Sequence, residues 1–199
     1  MKTEQFILIL RSDRQRGASL IMVMMILIIV SLLGVGGAQI ALMSERGARN
    51  DRDMQVAWQA AEAALLDAEV DMTTLSPHGR KELFDGKKRP EFKPCTDAGT
   101  GTTAGLYDFT GPTCTKPAWL SLNFTSNAAT VFGANSGKTF ASGNVGVQPA
   151  QAPLYMIELV KDPANLTTPP SFIYRVTAMG FGPRTDIQAV VQEIYRTGG

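Results

Sequence analysis

The chain divides by the spacing of its apolar residues. From Ala18 to Met43 there is no charged side chain, and Leu20 to Leu33 is almost wholly Leu, Ile, Met and Val, interrupted by Ser31. An α-helix rises about 1.5 Å per residue and a bilayer core is about 30 Å thick, so roughly 20 apolar residues cross it. The run exceeds that length and shows no polar face at helical period, unlike the half-buried helix of a soluble core. It predicts a membrane-competent helix over 18–43.

Beyond this run the pattern becomes amphipathic. Met54, Trp58, Ala61, Leu65, Ala68 and Met72 recur at steps of three and four, which predicts a helical continuation over 44–73 with these six residues as a seam and Asp67 and Asp71 off it. The seam is expected to pack on the protein's own sheet, its small residues admitting close approach, with some of the helix left to face other subunits. Gly34, Gly36, Gly37 and Gly47 each cost about 1 kcal/mol in a helix interior, so a bend or an unwound stretch is expected there.

Ser76-Pro77-His78-Gly79 ends the helix, and 74–153 is a variable region rich in Gly, Thr and Pro, in which Trp119, Leu120, Leu122 and Phe124 alternate as a short strand would. Residues 154–199 read as sheet. Tyr155, Ile157 and Leu159 share one face of a first run; Phe172, Tyr174, Val176 and Ala178 alternate with Ile173, Arg175, Thr177 and Met179 in a second; Ile187 to Tyr195 is a third. Short connections between them predict an antiparallel sheet against the seam. The fold class is therefore α+β, a long N-terminal helix packed on a C-terminal antiparallel sheet.

Composition adds little and excludes more. The 199 residues carry a formal net charge of +1, which gives no electrostatic footprint for nucleic acid. The nearest basic cluster, Lys87-Lys88-Arg89, is flanked by Asp85 and Glu91 and reads as a solvated loop. Cys95 and Cys114 follow the apolar run. Beyond a membrane they would meet an oxidising compartment, where a disulfide closing a loop of about 20 residues adds on the order of 3 kcal/mol; two free buried thiols are the other reading.

Candidate chemistry is sparse. His78 is the sole histidine and has no cysteine near it in sequence, so no metal site is expected. Gly133-Ala134-Asn135-Ser136-Gly137-Lys138-Thr139 approaches a phosphate-binding loop, but only three residues separate the glycines, Phe132 stands where the first Gly should be, and no helix start follows. No nucleophile has a base placed to activate it. The reading is a non-enzymatic protein without cofactor.

The start of the apolar run carries the most specific signal. Lys2, Arg11, Arg14 and Arg16 precede it and favour a cytoplasmic N-terminus, although Arg46, Arg49 and Arg52 lie beyond its other end. An ordinary signal peptidase would cut after Gly36-Gly37-Ala38 and release a secreted binding module starting at Gln39. The alternative cut lies before the run. Arg16-Gly17-Ala18-Ser19-Leu20 resembles the end of a type IV prepilin leader, so 1–17 would be removed and the helix kept.

The following segment, Glu45-Arg46, Asn50-Asp51-Arg52-Asp53 and Ala57-Trp58-Gln59-Ala60-Ala61-Glu62-Ala63-Ala64-Leu65, resembles the N-terminal region of PilX-type minor pilins. A weaker likeness appears in Tyr174-Arg175-Val176-Thr177-Ala178, Gly180, Gly182 and Ala189-Val190-Val191-Gln192. The resemblance implies a pilin-like fold and a minor subunit that initiates type IV pilus assembly with other minor pilins and the major pilin, and so supports adhesion, motility or aggregation. It implies cleavage between Gly17 and Ala18 by a prepilin peptidase, methylation of Ala18, residence in the inner membrane with the C-terminal domain periplasmic, contact with the inner-membrane assembly platform, and later an extracellular pilus. A type II secretion minor pseudopilin shares the same leader, helix and sheet. Major pilins carry Glu at the fifth mature position; this chain has Met22, which points to a capping or priming place.

Overall fold

A computed structural model describes residues 18–124, 127–143, 146–165 and 170–196. By packing, the chain forms two units, Met1–Ala48 and Arg49–Gly199. The described part of the first belongs to α1 (Ala18–Thr73). Gly34, Gly36, Gly37 and Gly47 are helical, so the chain does not unwind there, and a Cβ at any of them would meet nothing within 4 Å. The large apolar side chains from Leu20 to Met43 are exposed, and the helix is long and apolar enough to cross a membrane.

In the second unit the rest of α1 lies on a six-stranded sheet built from β1 (Lys93–Pro94), β2 (Leu106–Asp108), β3 (Thr130–Val131), β4 (Leu154–Lys161), β5 (Phe172–Phe181) and β6 (Gln188–Tyr195). The order is β1-β2-β4-β5-β6, with β3 paired to β4. The three C-terminal strands form the expected antiparallel meander, registered through Ile157↔Val176 and Val176↔Glu193. The sheet as a whole is mixed, because β1–β2 and β2–β4 run parallel. Those extra strands come from the variable region, whose two- and three-residue pieces are too short to leave an alternating pattern.

Two cores flank the sheet. On the helix side Ala64, Ala68 and Met72 meet Tyr155, Ile157, Leu159, Tyr174, Val176 and Ala178, joined by Phe84 and Phe92. On the other side Cys95, Tyr107, Ala118, Ala128 and Ala129 cover Leu154, Met156 and Phe181.

The face of α1 that is buried differs from the six-residue seam. Ala61, Ala68 and Met72 are buried and Leu65 is half-buried, but Met54 is 43% and Trp58 50% exposed, while Asp67 and Asp71 are fully buried. The buried ridge is Ala57, Ala60, Ala61, Ala64, Ala68 and Met72, about 50° around the helix from the seam at 3.6 residues per turn. Close approach selects it. A Cβ on Gly180 of β5 would lie 2.1 Å from the Ala57 carbonyl oxygen and 2.2 Å from the Ala61 nitrogen. The helix backbone thus rests on the strand backbone, a spacing that alanines permit and Trp58 does not.

A second correction concerns Trp119 to Phe124. The alternation predicts a strand, yet Ala118–Ser121 form one helical turn, α2. Pro117 precedes the turn, the Leu122 N–H donates to the Ala118 carbonyl at 2.7 Å, and the Ala118 N–H donates to the buried Glu158 carboxylate at 2.7 Å. The bonds within the turn and the distant Glu158 carboxylate together outweigh the period-2 pattern.

Candidate functional site

The expected processing junction lies at the edge of what is described. Gly17 falls outside the described residues, and Ala18 opens α1. Met22 follows within the first turns, and its side chain is 65% exposed. From Leu20 to Met43 the large apolar side chains are exposed, and among the described residues none buries them. Exposed apolar area of this extent is stable only in lipid or against other apolar helices. The span fits a membrane anchor.

In the soluble unit, polar organisation centres on two carboxylates one turn apart. Asp71 accepts from Arg80 Nε at 3.0 Å and Nη2 at 2.5 Å, from Asn135 Nδ2 at 3.0 Å and from the Tyr155 hydroxyl at 2.9 Å. Arg80 Nη1 donates onward to the carbonyls of Thr102 and Ala104 at 2.8 and 3.2 Å. Asp67 accepts from the Gly133 N–H at 2.8 Å and from the Ser136 hydroxyl. Burial pushes the Tyr155 hydroxyl well above its ordinary pKa, with the Asp71 charge adding to the rise. It is therefore a firm donor at neutral pH.

This network fixes the role of the glycine-rich loop at 133–139. The Gly133 amide and Ser136 hydroxyl, which a phosphate-binding loop would aim at an anion, are directed at Asp67. Gly133 needs its positive φ of 81°, and a Cβ there would strike the Lys138 carbonyl at 1.9 Å. The loop closes over the buried carboxylates of α1. His78 is exposed in the turn after α1.

The opposite face is stapled. Cys95 and Cys114 form a disulfide with Cα atoms 5.6 Å apart, joining the strand-β1 end of the variable region to the segment after β2. Glu158 beneath it is fully buried and binds Arg175 Nε at 2.9 Å, whose guanidinium lies 4.8 Å from the Phe109 ring centroid. Two cations of the basic cluster are paired locally: Lys88 Nζ sits 2.5 Å from Asp108 and Arg89 Nη2 sits 2.7 Å from Asp85. Burial raises the Asp108 carboxyl, but Lys88 and Thr110 outweigh it and leave its pKa below the ordinary value. Among the described residues no group of His, Cys, Asp and Glu could hold a metal ion.

Two cavities open at the sheet. One of about 740 Å³ is lined by Met72, Phe84, Phe172, Tyr195 and Arg196 among others, on the helix side. One of about 400 Å³ is lined by Phe124, Met179, Phe181 and Gln188 among others, on the other side. In the first, the Ser171 hydroxyl has no hydrogen-bond partner among the described residues and Asp162 is held by Arg196. Sequence reasoning missed Asp67, Asp71 and Arg80; the available signal was an aspartate pair at i, i+4, poor helix formers beside an alanine stripe.

Comparison with known proteins agrees with this arrangement. No curated protein and no solved structure matches the chain. A family model described as PilX N-terminal matches residues 16–66, the apolar span with the start of the alanine ridge, and one described as type IV pilus assembly protein PilX C-term matches residues 85–197, the sheet with its stapled cover. With both parts matched over most of its length, the chain belongs to the PilX family of type IV pilus assembly proteins.

Proposed function

We propose that this chain is a non-enzymatic minor pilin that primes or caps a type IV pilus together with other minor pilins, and so supports pilus-dependent adhesion, motility or aggregation. The observation that carries the reading is Met22. If a prepilin peptidase cuts between Gly17 and Ala18 and methylates Ala18, Met22 is the fifth mature residue. A charged amine packed in a low-dielectric core without a carboxylate partner is costly. A subunit stacked with its amino terminus against Met22 finds no such partner, so addition there is disfavoured and this chain occupies an end of the filament.

The remaining features suit that task. The apolar span holds the subunit in the inner membrane, N-terminus cytoplasmic and sheet unit periplasmic, until the assembly platform lifts it out. The same span then packs among the helices of neighbouring subunits, the major pilin included, because apolar surface suits either setting. The disulfide and the Asp71 network keep the variable region seated outside the cytoplasm.

Antibody labelling of sheared pili tests the position: label at filament ends is expected, and uniform decoration along the shaft would sink the proposal. Intact-mass analysis of the mature chain tests the processing. A methylated start at Ala18 supports it, and a start at Gln39 replaces it with a secreted module.

A further inference from the structure

The two edges of the sheet are unlike. β1, at one edge, is two residues long, and those two are Lys93 and Pro94, a charge and a residue with no N–H to donate. Both are devices that keep an edge from recruiting another strand. β6, at the other edge, is eight residues long, Gln-Ala-Val-Val-Gln-Glu-Ile-Tyr, with no Pro, Lys or Arg and one charge, Glu193. A long, β-branched, nearly uncharged edge is what a protein that stays single avoids.

The ladder shows which groups it offers. The Gly182 N–H donates to the Ile187 carbonyl at 2.8 Å, and antiparallel bonding alternates from there along the β5–β6 register. The other side of the sheet gives the same phase: the Ile157 N–H and Leu159 carbonyl point to β2, so Val176 and Tyr174 bond to Glu193 and Tyr195. The N–H and C=O of Gln188, Val190, Gln192 and Ile194 are thereby turned outward, and no described backbone group bonds to them. Val190 is 38% and Ile194 55% exposed beside them. The two cavities lie at opposite ends of this edge and on opposite faces, one reaching Gln188 and the other Tyr195 and Arg196. Strand addition draws affinity from main-chain bonds and selectivity from pockets that take alternate side chains.

We infer that β6 is an acceptor edge for an extended segment of another pilus-assembly subunit, a strand with alternating apolar side chains and a Lys or Arg opposite Glu193. The identity of the partner rests on the function proposed above; the acceptor edge does not. A second copy of this chain fits less well. Pairing β6 with itself adds a second Glu193 and no cation, and Arg196 is already held by Asp162, Nη2 to Oδ1 at 3.1 Å.

The test places a photo-cross-linking residue at Ile194 in the full-length chain, in cells assembling pili, and maps the captured peptide by mass spectrometry. The expected product is an extended Lys- or Arg-containing segment of another pilus subunit. Its yield should fall about tenfold in Val190→Pro, which removes one outward donor and fills the edge with a ring, and persist in Val190→Thr. Glu193→Lys should lower it several-fold and covers the case in which Val190→Pro does not accumulate. Capture of a second copy, no capture, or unchanged yield in Val190→Pro with Cys95–Cys114 oxidised and protease resistance normal would overturn the inference. So would unchanged yield in Glu193→Lys. If cells lacking the chain assemble pili normally, the proposed function fails instead; if they do not, yet Val190→Pro restores pili with its cross-link intact, only the acceptor edge fails.

Discussion

The two stretches of α1 are made of similar polymer and live by opposite rules. From Leu20 to Met43 the side chains are large, branched and apolar, and nearly all are exposed; from Ala57 to Met72 the buried ridge is mostly alanine, with two aspartates beside it and Trp58 and Leu66 outside. Hydrophobicity therefore does not decide what is interior along this helix. The closeness of the neighbour does: the backbone of β5 at Gly180 excludes anything larger than alanine, and the aspartates are admitted because Arg80, Asn135, Tyr155, Gly133 and Ser136 meet them.

If the second stretch is ordered by polar anchors, Asp71→Ala should be the most damaging change, about 4 kcal/mol, because it strands the buried Arg80 guanidinium. Urea unfolding of the detergent-solubilised chain measures it, and a loss below 1 kcal/mol would dissolve the contrast. For the first stretch, Leu27→Arg should add roughly 3 kcal/mol to insertion and shift the protein out of the membrane fraction without changing the sheet unit. Gly180→Ala should cost about 2 to 3 kcal/mol by forcing helix and strand apart, whereas Gly36→Ala, with nothing within 4 Å of its Cβ, should be neutral or slightly stabilising in the same assay.

The core gives a further, pH-borne distinction. Burial first of all pushes Tyr107 and Tyr174 up to about 12 from 10.0. A raised folded pKa means stabilisation that is complete below pH 10 and lost as pH climbs toward about 12, so alkaline unfolding should track phenolate absorbance in that window. The first stretch carries no titrating side chain and should not respond. The smallest effect is Trp58→Ala, under about 0.5 kcal/mol on unfolding because the ring is half exposed and its Nε1 donates only to Glu62 on the same helix. A loss above 1 kcal/mol would show that this face is packed after all.

Where a signal repeats over many residues the sequence was readable. The uncharged span, the end of the helix before Ser76, the three long strands and the family resemblance all rest on such runs. The rotated helix face was not readable, because its cause is one glycine more than a hundred positions away, on β5. Nor were β1, β2 and β3, each held by pairing with a distant strand rather than by its own pattern. α2 was misread for the reverse reason: a strong local alternation was overruled by a carboxylate on β4.

Asp71 has a consequence for how the chain is made. Its partners come from Arg80, Asn135 and Tyr155, separated from it by 9, 64 and 84 positions. Closing such loops is entropically slow, and until the last partner arrives the carboxylate cannot be buried cheaply. Without the docked glycine-rich loop Asp67 loses Gly133 and Ser136 and Asp71 loses Asn135, so docking of the loop and burial of this face of α1 are coupled events.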